Sequence, residues 1–114
     1  LISYAPPESF GQRKDFLRLA ARGRKFARPG FVLQALKTEP ATKLRVGYTA
    51  TKKIGNAVAR NRARRRLKEA ARLALADMKL DGIELVFICR QETACMPFAT
   101  LQSCLKSAIA EAAK

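Results

Sequence analysis

The sequence predicts a single-domain α+β fold, a layer sandwich with element order α-β-β-β-α-β-α. Three observations carry this reading. Residues 44–49 alternate apolar and polar side chains, the period of a strand with one buried face. Asn56 opens a long segment in which small apolar residues recur at helical spacing. Residues 83–89 are a mostly apolar run of strand length, set off by Asp81-Gly82, as a central strand requires. A chain of 114 residues holds one hydrophobic core, so residues 1–114 are expected to form one domain.

In chain order, residues 1–8 contain Pro6-Pro7 and read as an irregular arm. From about residue 12 to residue 22 the apolar positions Phe16, Leu19 and Ala20 fall on one helical face, and Gly23 is a natural stop. Residues 24–27 can form a short strand, broken by Pro29-Gly30, and residues 31–36 read as the next strand. A turn at residues 39–42, with Pro40 inside it, leads to the alternating strand 44–49. The helix capped by Asn56 is expected to run to about Met78. After the strand 83–89, Pro97 suits a first-turn position in a last helix ending near Ala112. Phe98, Leu101, Leu105, Ala108 and Ile109 make one face of it.

Composition removes several function classes. The chain has no histidine, which excludes a histidine-dependent triad, a two-histidine zinc finger and a histidine-dependent nuclease site. Cys89, Cys95 and Cys104 match no zinc spacing, and their odd number argues against a disulfide framework, so they read as reduced small hydrophobes of a cytoplasmic protein. No apolar run approaches the roughly 18 residues of a membrane span. The acidic residues Asp77, Asp81, Glu84 and Glu92 form no paired motif for metal-dependent hydrolysis and read as turn and surface residues.

Charge points elsewhere. The formal net charge is +14, and residues 43–72 alone carry eleven basic and one acidic side chain. Self-repulsion on this scale opposes compaction unless a polyanion neutralises it. Solubility does not need so dense a cluster. A membrane surface is a poor match, because the neighbouring apolar residues are mostly alanine, with no tryptophan or phenylalanine to insert. Nucleic acid remains.

On a helical wheel Ala63, Leu67, Ala70, Ala71, Ala74 and Met78 gather in one sector, a stripe of mostly small residues fit to lie close on a sheet. Arg60, Arg64, Lys68 and Arg72 recur every four residues as a ridge that starts beside this stripe and drifts outward. Asn61 and Arg65 lie next to the ridge, and Arg62 and Arg66 point to the far side. One flank can therefore face a ligand held against the sheet while the outer face meets a second partner. Lys52 and Lys53 precede the positive end of the helix dipole, and Gly55 permits tight backbone approach. Among the aromatics Phe10, Phe16, Phe26, Phe31 and Tyr48, Phe16 is the best placed to stack on a base, because Arg13, Lys14 and Arg18 surround it.

The block Lys52-Lys53-Ile54-Gly55-Asn56-Ala57-Val58, followed by Arg60-Asn61-Arg62 and Arg64-Arg65-Arg66-Leu67-Lys68-Glu69, resembles the protein subunit of bacterial ribonuclease P. Asp15-Phe16 on the first helix, Phe31-Val32-Leu33 and the late strand ending in Arg90 fit the same family. The resemblance implies a β-α-β crossover around the basic helix that is left-handed, against the general rule. It implies a catalytic RNA working with Mg²⁺, no metal site on the protein, and precursor tRNA with its 5′ leader as substrate. It implies an RNA-facing set of Lys52, Lys53, Arg60, Asn61, Arg62, Arg64, Arg65, Arg66 and Lys68. Phe16 would line a leader cleft between the first helix and the sheet. The chain departs from many members in carrying Ala20 and Gln34 where they carry aromatics, so stacking in the cleft is expected to be weaker, with Gln34 supplying hydrogen bonds instead. A ribosomal-type protein that clamps folded RNA shares the composition, and only the block around Arg60-Asn61-Arg62 separates the two readings. A protein-only nuclease is the weakest, for want of histidine and clustered carboxylates.

Overall fold

A computed structural model describes residues 8–9, 13–38, 44–76, 78, 80 and 82–114. The first helix, α1 (Arg13–Arg22), follows a two-residue strand β1 (Glu8–Ser9) that the arm was not expected to contain. Next come β2 (Arg24–Arg28), β3 (Phe31–Lys37) and β4 (Arg45–Thr49), then a 3₁₀ turn (Lys52–Ile54) and the long helix α2 (Ala57–Ala76). The chain finishes with β5 (Ile83–Cys89), a 3₁₀ segment (Gln91–Ala94) and α3 (Phe98–Ala112). Residues 1–7, the turn 39–42, Asp77 and Asp81 lie outside the described residues. Pro97 is the N-cap of α3 rather than its first helical residue, and α2 ends at Ala76, with Met78 packed against the core just past the helix.

The strands form one sheet in the order β1-β4-β5-β3-β2. β3 is antiparallel to both β5 and β2, while β4 is parallel to β1 and to β5. The parallel pair β4/β5 is joined through α2, the β-α-β unit that the resemblance implies. As its apolar run requires, β5 is central.

Side-chain alternation divides β5 between two faces. Ile83, Leu85, Phe87 and Cys89 join the main core with Leu67, Ala70 and Ala71 of α2 and Leu101, Leu105 and Ile109 of α3. Val86 and Ile88 face the other side, where Leu19 and Phe16 of α1 pack with Leu36. The predicted stripe of α2 is the buried one, extended by Leu75. Gly23 ends α1 because a Cβ there would stand 2.7 Å from the Leu19 carbonyl oxygen and 2.8 Å from that of Ala35. Only a bare backbone permits so close a turn from helix into β2.

Candidate nucleic-acid interface

The start of α2 is fixed by its own sequence. Gly55 has φ +140°, a backbone region that strains any residue with a Cβ. Asn56 then caps the helix, its Oδ1 accepting from the Ala59 amide at 2.9 Å. Behind this cap Arg60 and Arg64 are half-buried, and Asn61, Arg62, Arg65 and Lys68 are exposed, matching the outward drift of the ridge. Arg64 donates to Asn61 Oδ1, which holds its guanidinium along the helix. Val58, Asn61, Arg64, Arg65 and Lys68 line an open groove of about 490 Å³, and Val58 is 75% exposed beside these cations. Among the described residues, Arg60, Arg62, Arg64, Arg65 and Lys68 have no carboxylate within ion-pair distance. Arg72 differs: it grips Glu69 through two hydrogen bonds, at 3.0 and 2.6 Å, and this grip holds the Glu69 carboxyl below its usual range. The ridge's neutralised end is therefore its outermost residue. Lys53, in the 3₁₀ turn before the cap, is exposed.

Arg66 departs from the expectation that it faces RNA with Arg62. It is half-buried; its Nε donates to the Thr93 carbonyl at 3.1 Å, an Nη donates to the Met96 carbonyl, and its guanidinium lies 5.9 Å from the centre of the Phe98 ring. A wheel fixes the bearing of a Cα, and a long side chain can still turn back toward the protein.

The opposite face of the sheet forms a second surface. The register partners Thr49, Ile88, Val32 and Ala27 make a row across β4, β5, β3 and β2. Thr49, Ile88 and Val32 are half-buried and Ala27 is exposed, so this row is open to solvent beside α1. Phe16 of α1 is half-buried in the small cluster that includes Ile88. Gln34 belongs to the adjacent row with Val86, and it is only 6% exposed. Arg90 follows Ile88 by two residues in extended backbone (φ −119°, ψ 173°), so alternation directs it to the face of the open row, and it is exposed. Sequence reasoning used Val32 and Arg90 only as marks of the family resemblance and assigned neither them nor Thr49 and Ile88 to a surface, because strand alternation alone does not show which face stays open. Phe26 and Phe31 belong to the core, and Tyr48 stacks on Phe87 at 5.6 Å. Phe10 lies outside the described residues.

Glu84 corrects a second expectation. It is not a surface residue: its side chain is 5% exposed, on the α1 face of the sheet. Its two oxygens take Arg18 of α1 at 2.5 Å and Arg45 of β4 at 3.0 Å. Both carboxylate oxygens thus receive a charge-assisted bond, which satisfies an otherwise costly buried anion. The carboxylate ties α1 to the sheet beside the open row.

No group of three His, Cys, Asp or Glu side chains able to hold a metal ion occurs among the described residues. Nor is any described helix long and apolar enough to cross a membrane. Burial pushes the Cys89 thiol up to about 11, with the charge of Arg64 pulling the other way.

The ribonuclease P family profile matches residues 5–113, nearly the whole chain. The chain belongs to the ribonuclease P protein family. It is 46% identical over 101 residues to the ribonuclease P protein component of Gluconacetobacter diazotrophicus, covering 89% of this chain and 87% of that one. It is 48% identical over 101 residues to the component of Ruegeria pomeroyi, covering 86% and 80%. Among solved structures, the ribonuclease P protein of Thermotoga maritima superposes with a TM-score of 0.73 at 26% identity, covering 88% of this chain and 93% of that one. The Staphylococcus aureus protein shares the fold at 24% identity and a TM-score of 0.74, covering 96% and 100%. This chain is accordingly a protein component of ribonuclease P, the tRNA-processing endoribonuclease.

Proposed function

We propose that this ribonuclease P protein binds RNA on two surfaces: the outer side of α2 docks the catalytic RNA, and the open row beside α1 holds the 5′ leader of precursor tRNA. The observation that carries this reading is the run Arg60, Arg62, Arg64, Arg65 and Lys68 on α2, of which Arg64, Arg65 and Lys68 line one groove, with no carboxylate partner among the described residues. Such a run gains free energy by releasing counterions from a phosphate backbone. Lys53, with Lys52 beside it in sequence, precedes the helix start, where the helix dipole favours phosphate. Phe16 offers a leader base a stacking face, and Arg90 adds a cation on the side of the sheet where the open row lies. Gln34, being nearly covered, serves the cleft through the packing beneath α1. Hydrolysis belongs to the RNA and its Mg²⁺; this chain's residues bind and orient. The reading carries a cytoplasmic location with it and needs neither a membrane nor a small-molecule substrate.

The test is reconstitution with a bacterial ribonuclease P RNA at low Mg²⁺, with precursor-tRNA cleavage measured. The protein is expected to restore cleavage that RNA alone supports poorly, and to cleave nothing by itself. About six phosphate contacts give a slope of roughly −4 to −5 for log affinity against log salt. Cleavage by RNA-free protein refutes the reading, and so does a slope near zero.

A further inference from the structure

We propose that Arg66, though it sits in the middle of the basic run, is a positioning residue: it locks the segment after β5 into a rigid rim for the leader surface. The proposal rests on the leader reading above. Its basis is a set of fastenings that converge on residues 90–96. Arg66 binds two carbonyls of this segment, those of Thr93 and Met96. Thr93, fully buried, donates its hydroxyl to the Gly30 carbonyl and accepts from the Arg90 amide at 2.8 Å. Gln91 donates through Nε2 to the Lys53 carbonyl at 2.9 Å. The segment is thereby tied at once to α2, to the β2–β3 turn and to the 3₁₀ turn before α2. Two exposed cations, Arg90 after β5 and Lys53 before α2, are held by the same set of bonds.

Geometry decides between bracing and RNA contact. A guanidinium that serves two carbonyls and lies against the Phe98 ring has its donors directed inward. A lysine ammonium is a point donor and does not reproduce a planar fork that spans two acceptors. Bracing therefore depends on the guanidinium's shape, whereas a phosphate contact would depend mainly on its charge.

Arg66→Lys, Arg66→Met and Arg62→Ala distinguish the two. Each is reconstituted with a bacterial ribonuclease P RNA, and precursor and mature tRNA affinities are measured across a salt series. Hydrogen exchange at the Cys95 and Met96 amides, both of which donate to the Glu92 carbonyl, reads the order of the segment in the protein itself. Both Arg66 variants are expected to lose amide protection, and to lower the precursor-to-mature affinity ratio by about fivefold, the scale of indirect coupling. Their salt slopes should match that of the parent. Arg62→Ala is expected to reduce the slope by about 0.7 to 0.9, the loss of one phosphate contact, with protection intact. If Arg66→Met lowers the slope as Arg62→Ala does and Arg66→Lys restores it, Arg66 is a phosphate contact and the proposal is overturned. Unchanged protection, or lost protection with an unchanged ratio, overturns it too. A parent ratio near one instead overturns the leader reading on which the proposal stands. Should Arg66→Met fail to fold, Arg66→Lys carries the same test.

Discussion

Replacing Glu84 with alanine should destabilise this protein more than replacing any other acidic residue among those described. The carboxylate is 5% exposed and bonds Arg18 and Arg45 through separate oxygens. Its removal leaves a cavity under α1 and takes a counter-charge from two guanidiniums. Deleting one partner of a buried ion pair costs about 3 to 5 kcal/mol when the remaining charge is sealed from water. Here the side chains of Arg18 and Arg45 are 36% and 28% exposed, so water recovers part of that loss. A cost of about 2 to 3 kcal/mol follows after this discount. For a domain of this size that lowers Tm by roughly 10 °C. Glu84→Gln keeps the volume and one acceptor and should lose about half as much. Urea unfolding followed by circular dichroism measures both. A change below about 0.5 kcal/mol for Glu84→Ala, the range of ordinary surface substitutions, would refute the claim that this carboxylate fastens α1 to the sheet.

Three further outcomes are expected. Phe16→Ala should lower the precursor-to-mature tRNA affinity ratio of the reconstituted enzyme by about tenfold, within the 1 to 3 kcal/mol of one base stack; an equal fall in both affinities would make Phe16 a packing residue. Gly55→Ala should cost about 1 to 3 kcal/mol in urea unfolding, because φ is +140° and the new Cβ would lie 3.3 Å from that of Ala59. The Cys89 thiol is raised to about 11 in the folded chain, so ionisation on unfolding takes up hydroxide that the native state does not. Stability from this group is intact below the unfolded thiol range, near 9, and is lost as pH rises toward about 11. Cys89→Ser should flatten that decline in pH-dependent unfolding.

The parts of the fold that repeat locally were readable from the chain. The α2 stripe follows from residues three and four apart, and the central place of β5 from its apolar run. β1 was not readable, because two residues hold no period and pair with β4 only across the sheet. Arg66 and Glu84 misled for a related reason. Arg66 meets residues 27 and 30 positions away, and Glu84 meets residues 66 and 39 positions away. A charged residue in a helix or an apolar strand defaults to solvent in any local reading, and only tertiary contact shows which of them turn inward. The cation groove on α2 was legible because it is a property of one helix. A cleft between the first helix and the sheet was expected from the family resemblance, but the residues of the open row there were not legible, because it is assembled from four strands.

The cations of the β2–β3 ribbon have a different fate from those of α2. Arg24 donates to the Ala112 carbonyl, Lys37 to the Lys114 carbonyl, and Arg28 pairs with Glu111 at 3.5 Å. The far end of α3, where backbone carbonyls accumulate negative character, thus partly offsets three of the ribbon's cations, while Lys25 stays exposed. Among the described residues, cations without a counter-charge are therefore denser along α2 than along the ribbon. If α2 is the RNA-docking face proposed above, such an uneven charge should turn the protein toward a polyanion before collision, so that the helix touches first. Orientation would in that sense be settled in solution, before any contact forms, and added salt should erase it by shortening the distance over which the torque acts.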